Sequence, residues 1–161
     1  MTITKASAQL SLLGTATPTR TNVTNSVAIG SALATKSFSD ANIVYSFNVV
    51  ATGTTDVATL TIATGDVAQT TGTPTISDSG VDFEGNDIGT AAKLYALQVE
   101  QTVDGDMALD GHLFEFNNMA KAGDKALFIY DTGLALSSQT LIMDLNATGV
   151  ACKVTVIGKT S

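Results

Sequence analysis

The chain has 161 residues, 44% of them hydrophobic and only 14% charged, a composition typical of a folded domain rather than a disordered chain. The formal net charge is −7 and the basic residues are scattered singly, so binding to nucleic acid through phosphate contacts is not expected. No apolar run approaches the roughly 18 residues of a membrane span, and the N-terminus lacks the apolar segment of a signal peptide. We therefore expect one domain that is made in the cytoplasm, is not secreted and does not enter a membrane.

Threonine and glycine determine the secondary structure that we predict. The sequence contains 25 threonines and 14 glycines. Threonine is β-branched and favours strands, whereas glycine favours tight turns. Since no segment shows a convincing helical period, the sequence predicts an all-β chain.

The N-terminal segment differs from the rest of the chain. Residues 8–13 suit one strand, but residues 14–25 are rich in threonine and asparagine, include Pro18 and have little to bury. We predict that residues 1–25 form an extended arm, which either stays mobile or becomes ordered against a neighbouring protein. Residues 26–161 then form the β-sandwich domain.

From residue 26 onward, apolar and polar residues alternate with the period of two that is typical of strands. The clearest case is 43–50, where Ile43, Tyr45, Phe47 and Val49 share one face. The stretch 65–90 is polar and rich in turn residues, with short apolar islands. The other predicted strands lie within residues 27–38, 57–63, 91–101, 112–116, 126–130, 140–145 and 150–157.

Turn residues between these strands predict three hairpins. They pair 43–50 with 57–63, 112–116 with 126–130, and 140–145 with 150–157. About eight to ten strands of this length favour an antiparallel β-sandwich with a jelly-roll arrangement, and an up-and-down barrel is the alternative.

The residue types that carry catalysis are scarce. His112 is the single histidine, so any Ser-His-Asp or Cys-His arrangement would have to use it. Cys152, the single cysteine, lies in an apolar alternation and reads as a small buried hydrophobe. We therefore expect no enzyme and no cofactor. Core packing accounts for the strand aromatics Phe38, Tyr45, Phe47, Phe114, Phe116, Phe128 and Tyr130.

Acidic turns give two candidate cation loops. Asp104, Asp106 and Asp110 resemble a calcium loop, but their spacing fails the twelve-residue pattern and no closing glutamate follows. A second cluster could hold calcium in a non-standard loop, although solvated acidic turns are the simpler interpretation. The residues of this second cluster are Asp78, Asp82, Glu84 and Asp87.

Three segments of the C-terminal half carry a family resemblance. They are residues 91–99, residues 126–133, and the closing segment that ends in Val154-Thr155-Val156-Ile157-Gly158. In these segments the chain resembles small virion proteins of tailed bacteriophages, particularly capsid cement or decoration proteins.

The resemblance implies a homotrimeric jelly-roll protein of the virion that binds the outer capsid surface and bridges subunits of the major capsid protein. Two alternatives stay open: a recognition module, such as a phage tail or fibre domain or a carbohydrate-binding sandwich, and a tail-tube-like assembly subunit. If the protein is a cement protein, the N-terminal arm is the expected partner contact. Its candidate contact residues are Thr2, Ile3, Thr4, Thr19, Arg20 and Asn22.

Overall fold

The structure is a computed structural model of the chain. It describes residues 6–8, 14–16, 19–20, 23–24, 27–29, 36–38, 41–77, 79–80, 89–111 and 116–160. All secondary-structure elements assigned within these residues are β-strands. The described residues therefore contain no helix that could cross a membrane.

Sixteen strands lie in the described residues. Six short ones precede the sandwich: β1 (Ala6–Ala8), β2 (Gly14–Ala16), β3 (Thr19–Arg20), β4 (Val23–Thr24), β5 (Val27–Ile29) and β6 (Lys36–Phe38). Ten more build the sandwich: β7 (Ile43–Val50), β8 (Asp56–Thr61), β9 (Asp66–Thr71), β10 (Thr75–Ser77), β11 (Ala91–Val103), β12 (Met107–Asp110), β13 (Phe116–Met119), β14 (Lys125–Ala135), β15 (Thr140–Leu145) and β16 (Ala151–Thr160).

The ten sandwich strands form two five-stranded antiparallel sheets. Sheet I has the strand order β10-β7-β16-β11-β14, and sheet II has the order β13-β12-β15-β8-β9. The prediction of an antiparallel β-sandwich is therefore confirmed. The two sheets enclose one continuous core of apolar side chains.

The strand order follows the jelly-roll pattern. Four antiparallel pairs are nested along the chain, namely β7 with β16, β8 with β15, β11 with β14, and β12 with β13. Successive pairs alternate between sheet I and sheet II. The chain from β7 to β16 is thus one long hairpin rolled into two layers. Strand β9 extends this arrangement beside β8, and β10 extends it beside β7.

Two of the three predicted hairpins are wrong: residues 43–50 do not pair with 57–63, and residues 140–145 do not pair with 150–157. Strands β7 and β8 lie in opposite sheets, and so do β13 and β14, and β15 and β16. Residues 112–115 of the remaining predicted hairpin, 112–116 with 126–130, lie outside the described residues, so that pairing stays a prediction. The loop after β7 bonds to the loop before β16. Buried Ala51 donates its N–H to Val150 O (2.8 Å), and its carbonyl accepts from Gly149 N (3.0 Å). These turns are corners between the sheets.

The inner faces carry the residues that the alternation predicted. Tyr45, Phe47 and Val49 of β7 are fully buried, and each such side chain contributes about 1.5–3 kcal/mol of transfer free energy. The Tyr45 hydroxyl donates to Ile62 O at 2.9 Å, so the polar atom of this ring is satisfied inside the core. Phe128 and Tyr130 pack against the same core while partly exposed. Phe114 lies outside the described residues, as does the side chain of Phe116.

A second, smaller apolar cluster lies on the outer face of sheet I. Four residues that are aligned across β7, β16, β11 and β14 form its floor, and three residues cover it. The floor is Val44, Ile157, Ala96 and Ile129, and the cover is Phe38, Ala41 and Tyr95. Phe38 is therefore a buried aromatic, as predicted, but it is packed outside the sandwich core.

Candidate interaction surfaces

Strands β1 to β6 form what we call the ribbon. They pair in three antiparallel ladders, β1 with β6, β2 with β5, and β3 with β4. The partner numbers add up to 44 in the first ladder (Ala6 with Phe38) and to 43 in the other two (Gly14 with Ile29, Thr19 with Thr24). The three ladders thus share one hairpin register within a single residue. Within the predicted arm, residues 1–25, strands β1 and β2 pair with β6 and β5, which follow the arm, whereas β3 and β4 pair with each other.

The arm residues predicted as partner contacts fall mostly outside the described part of the chain. This holds for Thr2, Ile3, Thr4 and Asn22. Thr19 and Arg20 form β3, where they pair with Thr24 and Val23 of β4. Their role in binding stays a prediction.

The end of the ribbon at Phe38, the last residue of β6, is attached to sheet I by an aromatic stack. The rings of Phe38 and Tyr95 lie with centroids 5.0 Å apart and planes 18° apart. Tyr95 sits at a β-bulge, since the register of β11 against both neighbours shifts between Leu94 and Ala96. Gly133 makes room for the ring, because a Cβ there would lie 2.9 Å from Tyr95 Cε1.

Asn42, the residue before β7, is held against β16 by hydrogen bonds. Its Nδ2 donates to Thr160 Oγ1 at 2.8 Å, and its Oδ1 accepts from Thr160 N at 2.9 Å. Its own N donates to Gly158 O at 3.1 Å. The ribbon is therefore joined to the sandwich through defined contacts with β11 and β16.

Four loops meet at one end of the sandwich, which we call the loop end: residues 51–55, 104–106, 120–124 and 146–150. Backbone hydrogen bonds link them in series. Besides the bonds of Ala51, Asn146 N donates to Asp106 O (2.9 Å) and Gly105 N donates to Ala120 O (3.0 Å). The loop end is thus a connected and preorganised surface.

Aspartates organise these loops rather than projecting freely from them. Asp104 Oδ1 accepts from Ala122 N (2.8 Å) and its Oδ2 pairs with Lys121 Nζ (3.0 Å). Asp124 Oδ2 accepts from the backbone N–H groups of Ala120 and Lys121. Backbone donors therefore lower the pKa of both carboxyl groups below the usual range, and Lys121 adds to this at Asp104.

Asp56 is the most enclosed of these carboxyl groups, being only 3% exposed. Its Oδ2 accepts from Thr52 N (2.7 Å), Gly53 N (3.0 Å) and Thr52 Oγ1 (3.2 Å). The backbone bond from Thr52 is the main cause that lowers the pKa of Asp56, and burial opposes it only in part. Asp56 thus stabilises the turn between β7 and β8, which is a corner between sheet I and sheet II.

Gln101 supports the loop end from within. It is fully buried, and its Nε2 donates to Val103 O (2.9 Å) and Gly105 O (2.6 Å). Its Oε1 has no hydrogen-bond partner among the described residues. A buried amide that donates to the last carbonyl of β11 and to a carbonyl of the following turn has a structural role that sequence alternation alone did not reveal.

The candidate calcium residues Asp78, Asp82, Glu84 and Asp87 all lie outside the described residues, as does His112. In the part of the chain that the structure does describe, no group of three His, Cys, Asp or Glu side chains is arranged to hold a metal ion. Cys152 is fully buried, which raises the pKa of its thiol to about 12. Its assignment as a small buried hydrophobe is confirmed.

Comparison of the chain with protein-family models, with curated proteins and with solved structures finds no match in any of the three.

Proposed function

We propose that the protein is a structural virion protein of a tailed bacteriophage, which binds the outer capsid surface and bridges subunits of the major capsid protein. In this role it assembles as a homotrimer, belongs to the virion and acts by binding, without catalysis. The resemblance of the C-terminal half to capsid cement proteins supports the proposal, and so does the jelly-roll fold that the resemblance implied.

The observation that carries the proposal is the attachment of the ribbon to the outer face of sheet I through Phe38 and Tyr95. An isolated two-stranded hairpin is only marginally stable in water, so a ribbon gains stability when a further surface covers it. A rigid sandwich with such an extension suits a bridging protein, because the sandwich supplies a fixed base and the ribbon reaches a neighbour. Symmetric display of many copies then gives weak contacts high avidity.

Binding to purified, undecorated capsids of a tailed phage tests the proposal. The full chain should sediment with the capsids and raise their melting temperature. A variant in which residues 14–29 are replaced by a short Gly-Ser linker should keep the circular dichroism and cooperative unfolding of the sandwich but lose most of the capsid binding. Capsid binding that persists unchanged in this variant would contradict the role of the ribbon.

The same preparation separates the cement protein from the recognition module. If the full chain fails to bind capsids and instead binds glycans or bacterial cells, and chelation of calcium abolishes that binding, the recognition module replaces our proposal.

A further inference from the structure

The chain contains two Asp-Gly dipeptides, Asp104-Gly105 and Asp110-Gly111. This dipeptide is chemically reactive, because glycine has no side chain to shield its backbone nitrogen from the carboxyl group of the preceding residue. Attack of that nitrogen on the carboxyl carbon closes a five-membered succinimide ring. The ring forms only where the fold leaves both groups free to meet, and the two dipeptides differ in this respect.

The fold occupies both reacting groups of Asp104-Gly105. Asp104 Oδ1 accepts from Ala122 N (2.8 Å), and its Oδ2 pairs with Lys121 Nζ (3.0 Å). These contacts lower the pKa of the carboxyl group, and an ionised carboxylate is a poor electrophile. The nitrogen of Gly105 is engaged as well, since it donates to Ala120 O at 3.0 Å. This dipeptide is therefore protected.

In the second dipeptide, the carboxyl group lies against the nitrogen that can attack it. Asp110 is exposed, and its Oδ1 accepts from Gly111 N at 2.6 Å. Among the described residues, the hydrogen bond of Gly111 N goes to this carboxyl group and not to a backbone carbonyl. The carboxyl carbon is one bond beyond that oxygen, so the attacking and the attacked atoms are already neighbours.

Packing against β15 explains why glycine occupies position 111. The φ of Gly111 is +131°, and a Cβ there would collide with the carbonyl oxygen of Thr140. Asp110 is the last residue of β12, where it pairs with Ile142 of β15. The end of this ladder thus requires the residue type that makes the preceding aspartate reactive.

We infer that Asp110 is a site of spontaneous isoaspartate formation, in which Gly111 N is the nucleophile and water is the reagent. The bond from Gly111 N to Asp110 Cγ forms as a C–O bond of the carboxyl group breaks. The oxygen leaves as water, together with the amide proton and the carboxyl proton. Water then adds to one of the two ring carbonyls. Addition at Cγ restores aspartate, whereas addition at the backbone carbonyl carbon breaks its bond to Gly111 N and leaves isoaspartate.

This modification changes the outer face of sheet II and is independent of the proposed function. The main chain of isoaspartate runs through Cγ and is longer by a methylene group, which displaces the chain after β12 relative to β15. The free carboxylate moves from the side chain to the Cα atom. Burial raises the pKa of Asp144 on β15, and the charge of Asp110 adds to this. Conversion therefore relocates a charge that Asp144 senses.

Peptide mapping after prolonged incubation of the full chain at physiological temperature tests the assignment. Trypsin releases both dipeptides in one peptide, residues 94–121, so Asp104 is an internal control. Electron-transfer fragmentation locates isoaspartate, and endoproteinase Asp-N no longer cleaves before a converted residue. Conversion at Asp110 should be faster than at Asp104 by about tenfold or more, because positioning of the reacting groups decides the rate. In heavy-oxygen water, converted Asp110 should carry a heavy oxygen atom.

Incubation in denaturant separates the effect of the fold from that of the local sequence. The unfolded chain should convert both dipeptides at similar rates. Asp110→Glu keeps a carboxyl group but needs a six-membered ring, so it should show no conversion at this position. Asp110→Asn reaches the same succinimide with loss of ammonia and should convert faster than the wild type.

Three results would overturn the assignment. The first is conversion at Asp110 that is no faster than at Asp104 in the folded protein. The second is a preference for Asp110 that is equally large in denaturant, because the local sequence and not the contacts of the fold would then select the site. The third is converted Asp110 without heavy oxygen, which would exclude the succinimide.

Discussion

Phe38 stacks on Tyr95 with ring centroids 5.0 Å apart, so a residue of the ribbon is buried on the outer face of a sheet whose other face lines the core. The cluster around the stack contains five buried residues and is separate from the main core. The attachment of the ribbon can therefore be weakened without opening the space between the sheets.

We predict that Phe38→Ala destabilises the protein by about 3 kcal/mol, because a buried phenyl ring is lost and the cluster cannot fully collapse. Denaturant unfolding followed by circular dichroism measures this change. The same variant should become susceptible to limited proteolysis within residues 1–38 while the sandwich resists. Phe38→Leu is the control, since it keeps most of the apolar volume and should cost less than about 1.5 kcal/mol. Equal stability of the wild type and Phe38→Ala would contradict the anchoring role.

Asp56 makes the corner after β7 sensitive to acid. Its folded pKa is lowered, so its contribution to stability is fully present above the unfolded value of about 3.9 and is lost as pH falls through the lowered folded pKa. Asp56→Asn should lower the melting temperature at pH 7 and reduce the further decrease between pH 4 and pH 2. Thermal unfolding over this range tests it, and a variant with an unchanged acid profile would show that Asp56 does not hold the corner. Asp104→Asn is a useful comparison, because Asp104 is exposed and should matter less.

Alternation predicted the strands well where one face meets the core. The segment 43–50 alternates between buried and more exposed residues along its whole length, and β7 has those bounds. Alternation missed β9, where only Val67 packs against the core and the other residues are exposed polar or small ones. It also missed β12, since the four residues Met107–Asp110 are enclosed by aspartates and glycines that are typical of turns.

Strand pairing could not be predicted from local signals. The residues 146–149 mark a tight reversal of the chain, and the structure has one there. Whether the next strand returns to the same sheet depends on distant contacts, such as the pairing of Val156 with Tyr45 across more than a hundred residues. The Phe38 anchor escaped prediction for the same reason, because it depends on a bulge at Tyr95 and on the missing side chain of Gly133.

Burial of Cys152 predicts a specific alkaline sensitivity. The folded thiol has a pKa raised to about 12, whereas an unfolded cysteine titrates near 8.5. Above about pH 8.5 the unfolded state loses this proton and the folded state retains it, so stability falls with pH by up to about 1.4 kcal/mol per pH unit. Chemical unfolding at pH 8 and pH 10 should show this decrease in the wild type and a smaller one in Cys152→Ala. The tyrosines are the same in both proteins, so a decrease of equal size in the two would exclude Cys152 as a source.

Gly133 separates backbone strain from the packing of the anchor. Its φ is +78°, and a Cβ at this position would also lie 2.9 Å from Tyr95 Cε1. Gly149 has a similar φ of +85°, but a Cβ at this position would meet no atom within 4 Å. Both Gly→Ala variants should lose about 1–2 kcal/mol from the left-handed backbone conformation. Gly133→Ala should lose about 1–3 kcal/mol more, because Tyr95 must move from its place against Phe38. In a Phe38→Ala background this excess should shrink, since the ring then has space to yield. The comparison needs the unfolding free energies of the wild type, Gly133→Ala, Gly149→Ala, Phe38→Ala and the double variant of Phe38→Ala with Gly133→Ala. An equal cost for Gly133→Ala and Gly149→Ala would show that the stack does not depend on Gly133.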